Sequence, residues 1–188
     1  MQFIKKFKTP TSYCDDIIKY YHDNEDKWSI GRMSYEGNPI IEKKTKDSVD
    51  LCMEKMPDEL SHYFEHLINC VQDYCEEFDI LKDNDGLVIA EAVNIQKYEI
   101  GGGFKRWHTE RGPQDPKASK RVLVFMTYLN DAKDSGTEFK YQNATFQCIK
   151  GDTLLWPADF THVHRGQITK EVKYIITGWI TYDTNSKT

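Results

Sequence analysis

Tyr174-Ile175-Ile176-Thr177-Gly178-Trp179-Ile180, residues 174–180, is dominated by β-branched and aromatic side chains, which suit a pleated surface better than a helix. Five similar runs precede it from Leu87 onward: Val88-Ile89-Ala90, Ala92-Val93-Asn94-Ile95-Gln96, Val122-Leu123-Val124-Phe125-Met126, Thr145-Phe146-Gln147-Cys148-Ile149 and Thr153-Leu154-Leu155-Trp156. Gly, Asn and Asp split them, so they read as short strands joined by turns. Strands of this length and spacing make a sandwich or a barrel. Asn143-Ala144-Thr145 fits a glycosylation sequon but reads more simply as one of these turns.

Before Leu87 the period is helical. Thr11 or Ser12 is placed to cap a helix running through Ile17, Ile18, Tyr20 and Tyr21 and ending near Asp23-Asn24. A second helix has Pro57 in its first turn and apolar residues at Leu60, Tyr63, Phe64, Leu67, Ile68, Val71, Tyr74, Cys75 and Phe78, the spacing of one buried stripe. His62 and His66 lie four apart on it without the glutamate of an H-E-x-x-H site, and read as exposed or packing residues. The tail after Asp183 reads as loose. The expected architecture is mainly β with buttressing helices: a single domain over 1–188, helical support over about 1–86 and a β core over about 87–183.

Composition bounds the function. At 188 residues, 39% hydrophobic and 29% charged, the chain is an ordinary globular domain, and its net charge of -5 gives no electrostatic reason to seek nucleic acid. It has no 18-residue apolar run to cross a membrane, and no apolar stretch after the basic start to act as a secretory signal; a cytoplasmic protein is expected. Cys14, Cys52, Cys70, Cys75 and Cys148 form no C-x-x-C pair and read as reduced thiols.

The chemistry-bearing motif is His108-Thr109-Glu110, followed by His164 and Lys173. Two imidazoles and one carboxylate on one face of a metal leave about half the coordination sphere open, the arrangement of non-haem Fe(II) oxygenases, whereas a closed four-ligand zinc site leaves no room for substrate. On a strand, His108 and Glu110 would share a face. Tyr98-Glu99-Ile100-Gly101-Gly102-Gly103-Phe104 leads into this segment, its glycines free to take positive φ and approach a ligand. Thr161-His162-Val163-His164 offers two candidates for the second imidazole, both expected on one strand face. Arg111 to Lys120, rich in turn formers, is either a lid over the site or a plain surface connection.

Taken in order, Tyr98, His108-x-Glu110, Tyr128-Leu129-Asn130, Ser135-Gly136-Thr137-Glu138-Phe139, Gly151-Asp152-Thr153-Leu154-Leu155-Trp156-Pro157, His164, Lys173-Tyr174 and Trp179 resemble the Fe(II)- and 2-oxoglutarate-dependent dioxygenases, in their prolyl 4-hydroxylase-like branch. The matching stretch runs from about Ala90 to Tyr182, and many relatives have Asp where this chain has Glu110. The resemblance implies a double-stranded β-helix, a jelly-roll relative. It implies Fe(II) on His108, Glu110 and His164, O2 and 2-oxoglutarate as cosubstrates, and ascorbate as an optional accessory. In that family a basic residue nine or ten positions past the distal histidine binds the far carboxylate of 2-oxoglutarate. Lys173 stands nine past His164, which favours His164 over His162. By family position Tyr128 gives its hydroxyl to the same carboxylate, Tyr98 faces cosubstrate or substrate, and Trp179 stands near the iron. Arg165 is expected to face solvent or a substrate acid. The implied reaction is hydroxylation of a C-H bond, with peptidyl proline as first candidate; halogenating relatives lack the carboxylate ligand. The alternative is a catalytically silent β-helix that binds a metal or ligand. Residues that handle iron and cosubstrate do not name a substrate.

Overall fold

The computed structural model describes residues 3–35, 38–82, 86–113 and 115–182. The chain opens with strand β1 (Lys5–Lys8), helix α1 (Thr11–Asp23) and the short strands β2 (Ser29–Ile30), β3 (Met33–Tyr35), β4 (Asn38–Ile40), β5 (Lys46–Asp47) and β6 (Val49–Met53), then helix α2 (Ser61–Glu77). There follow β7 (Leu87–Val88), β8 (Val93–Tyr98), β9 (Gly103–Phe104), β10 (Arg121–Tyr128), β11 (Ala132–Phe139), β12 (Ala144–Cys148), β13 (Asp152–Pro157), β14 (His164–Gly166) and β15 (Lys173–Tyr182).

A major sheet runs β1-β13-β10-β15-β8-β6-β2, with β7 also paired to β15, and a minor sheet runs β12-β11-β14. Every pairing in both is antiparallel. The major sheet is covered on both faces, which is why β10 and β15 read as nearly continuous apolar runs rather than as half-polar alternation. Toward the helices it presents Leu123, Phe125, Leu155, Ile176 and Ile180, packed on Cys14, Ile17, Tyr21, Tyr63, Leu67 and Tyr74 of α1 and α2. Toward the minor sheet it presents Val124, Met126, Leu154, Trp156 and Ile175, packed on Phe139 and Cys148. The result is the expected jelly-roll core with buttressing helices.

Residues before Leu87 do more than support the core. They supply β1, β2 and β6 to the major sheet, and β5 pairs with β9. Neither Thr11 nor Ser12 caps α1; Pro10 occupies the cap position with no side-chain cap bond. The stripe of α2 is buried at Tyr63, Phe64, Leu67, Cys70, Val71 and Tyr74, while Ile68 faces out. His62 stacks edge-on against Tyr13 and lies 3.2 Å from Asp16, so it is a packing residue. All five cysteines are free thiols. The tail from 183 onward lies outside the described residues.

β11 holds Asp134-Ser135-Gly136, which carry no strand signature, and it became a strand because β12 and β14 flank it on both sides. Gly136 is required there: a Cβ would sit 2.1 Å from the carbonyl oxygen of Phe146. The glycines before the metal motif serve backbone rather than ligand. Gly103 has φ of 144°, and a Cβ on it would meet the Gln167 carbonyl oxygen at 2.9 Å.

Candidate active site

Strand alternation builds one wall of the site. On β15 it turns Lys173, Ile175, Thr177 and Trp179 inward, and on β8 Asn94, Gln96 and Tyr98, all lining a cleft of about 920 Å3 between the sheets. His108 and Glu110 do not lie on a strand. His108 forms a single bridge with His164, the two residues exchanging both backbone hydrogen bonds at 3.0 Å. That pairing is what puts the rings side by side, their centroids 4.4 Å apart. Past His108 the chain turns, and the amides of Glu110 and Arg111 donate to the Ala158 carbonyl at 3.2 and 3.0 Å. Thus the Glu110 carboxylate is brought under both imidazoles by a loop.

Glu110 Oε1 lies 3.4 Å from Nε2 of His108 and 3.4 Å from Nε2 of His164. One ligand atom from each of the three residues falls within 4.8 Å of the others. Nδ1 of His108 faces the Arg106 carbonyl at 2.8 Å and Nδ1 of His164 the His162 carbonyl at 2.9 Å. A carbonyl only accepts, so both Nδ1 atoms carry the proton, and each neutral ring turns its Nε2 lone pair toward the carboxylate. Two lone pairs and an anion facing one point are a donor set for a cation, with the open geometry of a facial triad.

The other carboxylate oxygen is held separately. Trp179 Nε1 donates to Glu110 Oε2 at 3.0 Å, and the Arg121 guanidinium stacks 3.5 Å from the centroid of the Trp179 ring. Arg121 also donates to the Glu110 carbonyl at 2.9 Å and pairs with Glu91 at 2.6 Å. This leaves Oε1 as the Glu110 oxygen that faces both imidazoles. Burial disfavours its charge, but when the imidazoles carry a proton on Nε2 their hydrogen bonds and charge more than offset that and hold its carboxyl well below the usual range. Burial pushes His164 down, toward the neutral form a metal needs. Phe104 stacks flat on His108 at 3.8 Å and shields it.

Lys173 brings a buried cation into the same cleft. Its ammonium is 3% exposed, donates to the Ser135 carbonyl at 2.9 Å, and has no carboxylate within ion-pair distance among the described residues. Burial lowers its pKa to about 8. Tyr98 covers it, with the ring centroid 4.9 Å from Nζ, and gives its own hydroxyl to Gln96 at 2.6 Å. Trp156 also lines the cleft, and its buried indole N-H has no hydrogen-bond partner among the described residues. An unpaired buried cation and an orphaned buried donor fit a ligand that brings anionic oxygens.

Two sequence expectations are corrected. Tyr128 does not border the cleft: its hydroxyl lies 2.7 Å from the Thr137 hydroxyl and 3.2 Å from the Phe146 carbonyl, fully buried in the core. It faces inward, as the alternation requires, but too deep. His162 does not share a strand face with His164; it ends a 3-10 turn, Phe160–His162, and its Nδ1 lies 2.9 Å from the Thr161 hydroxyl. Arg165 pairs with Glu138 at 2.7 Å and stacks on Trp107. Arg111, Gly112, Pro113, Asp115 and Ala118 border the cleft, so the 111–120 segment lies at the site; Gln114 is outside the described residues.

Sequence reasoning missed Arg121 and the buried pair Lys46–Asp50 at 2.6 Å, which lines the cleft with Gln96. The alternation of β6, with Leu51 and Met53 toward the helices, was the signal that Asp50 turns inward.

Residues 93–181 match the family model of the 2OG-Fe(II) oxygenase superfamily, a stretch that includes all five of His108, Glu110, His164, Lys173 and Trp179. This match and the likeness to the solved structures below support a 2OG-Fe(II) oxygenase of prolyl hydroxylase-like fold. Solved structures similar to this oxygenase include a prolyl hydroxylase from Trichoplax adhaerens in complex with a hypoxia inducible factor oxygen degradation domain peptide fragment (TM-score 0.74, 12% identity, 97% of this chain and 85% of that one). They also include a Pseudomonas putida prolyl-4-hydroxylase (0.70, 11%, 97% and 94%). A third is the viral collagen prolyl hydroxylase of Paramecium Bursaria Chlorella virus-1 in its 2OG complex (0.63, 17%, 96% and 96%). At these identities they show a prolyl hydroxylase-like fold. No curated protein matches the chain. The family uses Fe(II), 2-oxoglutarate and O2, and no helix among the described residues is long and apolar enough to cross a membrane.

Proposed function

We propose that this dioxygenase hydroxylates a peptidyl proline, with His108, Glu110 and His164 as iron ligands, Lys173 as the anchor of 2-oxoglutarate, and Tyr98 and Trp179 as its neighbours in the site. The observation that carries the site assignment is Lys173: an unpaired ammonium buried in the same cleft as a His-Glu-His donor set. The proline assignment is supported by the likeness to prolyl hydroxylases, one of them in complex with a peptide fragment.

Bound Fe(II) and 2-oxoglutarate supply the oxidising chemistry, in which O2 converts 2-oxoglutarate to succinate and CO2 and places one oxygen atom in the substrate C-H bond. The protein contributes placement. Lys173 holds the far carboxylate, Trp156 offers its free N-H to an oxygen of the same ligand, and Trp179 fixes which Glu110 oxygen faces the imidazoles. Phe104, Tyr98 and Met126 keep water from the reacting end. Residues 111–120, at the rim, close over bound substrate.

Incubation with Fe(II), 2-oxoglutarate and proline peptides is expected to give succinate and peptides heavier by one oxygen. Succinate without oxygen on any proline peptide would remove the proline assignment and keep the dioxygenase.

A further inference from the structure

We propose that the substrate is an acidic peptide, with Asp or Glu flanking the hydroxylated residue, bound by Arg32, Arg106 and Arg111 at the cleft mouth; the inference rests on the peptide hydroxylase reading above. These three arginines reach the cleft from separate segments: Arg32 between β2 and β3, Arg106 between β9 and His108, and Arg111 immediately after Glu110. The other cations of the cleft wall are committed. Lys46 is paired with Asp50, Arg121 with Glu91, and Lys173 stands at the cosubstrate end.

Arg111 shares Asp159 at 3.4 Å. Arg32 and Arg106 are exposed, and among the described residues no carboxylate lies within ion-pair distance of either. Asp115 is the acid of this rim, and its Oδ1 is taken by the Lys117 amide at 2.8 Å. Among the arginines this is unusual, since Arg121 holds Glu91 and Arg165 holds Glu138. Elsewhere the surface cations Lys5, Lys82, Lys150, Lys170 and Arg165 each hold a carboxylate. Of the five arginines, Arg32 and Arg106 are the two without a carboxylate among the described residues, and both line the cleft, so anions that a net charge of -5 repels in general are attracted there. Guanidinium is also the group that pairs bidentately with carboxylate. A cleft of about 920 Å3 lies at the upper end of ordinary ligand sites, room for several residues beyond the cosubstrate.

Proline-centred peptides with Asp, Gln or Lys on both flanks, each carrying a neutral fluorophore, separate the possibilities by anisotropy and by turnover. The parent protein, with Fe(II) and 2-oxoglutarate, is expected to bind the Asp peptide about five-fold more tightly than the Gln peptide at low salt, given the strength of exposed ion pairs, with the advantage fading at high salt. The double charge reversal Arg32→Glu with Arg106→Glu should invert the order to favour Lys flanks. Lys19→Glu with Lys150→Glu makes the same change in net charge on surface distant from the cleft and should preserve the Asp preference. Binding preference for Asp with no oxygen added to proline supports acidic recognition and defeats the proline assignment. Hydroxylation of all three peptides with equal KM supports the proline assignment and overturns acidic recognition, as would an Asp preference lost equally in both double variants.

Discussion

The two faces of the major sheet obey different rules. Toward α1 and α2 the buried hydroxyls pair with one another: the Tyr63 hydroxyl meets Thr127 at 3.0 Å, Thr127 meets Thr153 at 2.6 Å, and Thr153 meets Thr9 at 2.7 Å, a relay in an otherwise apolar layer. Toward the cleft the same strands carry, among the described residues, a buried ammonium without an anion and an indole N-H without an acceptor, and a loop adds a carboxylate facing two imidazoles. One face is complete without ligand. The other is complete only with one, and substitutions should separate the two in kind as well as in size.

The largest effect is expected at the metal donors. His164→Ala should abolish Fe(II) binding, read by calorimetry, and hydroxylation with it. His162→Ala, which changes a 3-10 turn outside the donor cluster, should retain iron binding. Iron retained by the first variant and lost by the second would exchange their roles.

Lys173→Met should weaken 2-oxoglutarate binding by about 2 to 5 kcal/mol, roughly thirty-fold to several thousand-fold, while iron binding stays close to the parent's. Because burial brings the Lys173 pKa to about 8, cosubstrate affinity in the parent should fall as pH rises through that value and the ammonium is lost. The pH dependence should vanish in the variant. An unchanged affinity in Lys173→Met would leave the cleft without its anchor.

Trp179→Phe, which removes the indole N-H from Glu110 Oε2 and leaves Arg121 Nη1 at 3.7 Å, should lower iron affinity or turnover by roughly 10- to 100-fold, the usual range for groups that orient a metal ligand. The smallest effect on the site is expected from Tyr128→Phe. It should cost about 1 kcal/mol of stability in denaturant titration and leave the 2-oxoglutarate KM unchanged, because its hydroxyl serves the core. A raised KM would restore Tyr128 to the cosubstrate.

The inner and outer faces also differed in how much of them the sequence revealed. Strands β8, β10, β13 and β15 were legible because burial on both sides forces β-branched and aromatic residues at nearly every position. β11 was not, since Asp134-Ser135-Gly136 are placed by their neighbours, and Gly136 is a packing requirement that only β12 makes visible. β6 was missed because its inward residues, Asp50 and Cys52, are those of a cleft wall rather than of a core. Spacing found His108, Glu110, His164 and Lys173 as a set, yet it misplaced Tyr128. Sequence tells which face a side chain takes, and the depth and the partner of its hydroxyl come from Thr137 and Phe146, supplied by other strands.

Lys173 carries a further consequence for the stability of the protein. Its pKa falls from 10.5 to about 8 on folding, so between those values the unfolded chain holds more protons, and folding gains stability as pH rises from 8 to 10.5. Below pH 8 the buried charge costs the fold roughly 3 kcal/mol, in proportion to that shift. Bound 2-oxoglutarate offsets this through its affinity for the folded state alone, by about 2.7 kcal/mol at a hundred times its Kd. The melting temperature should therefore climb with cosubstrate concentration.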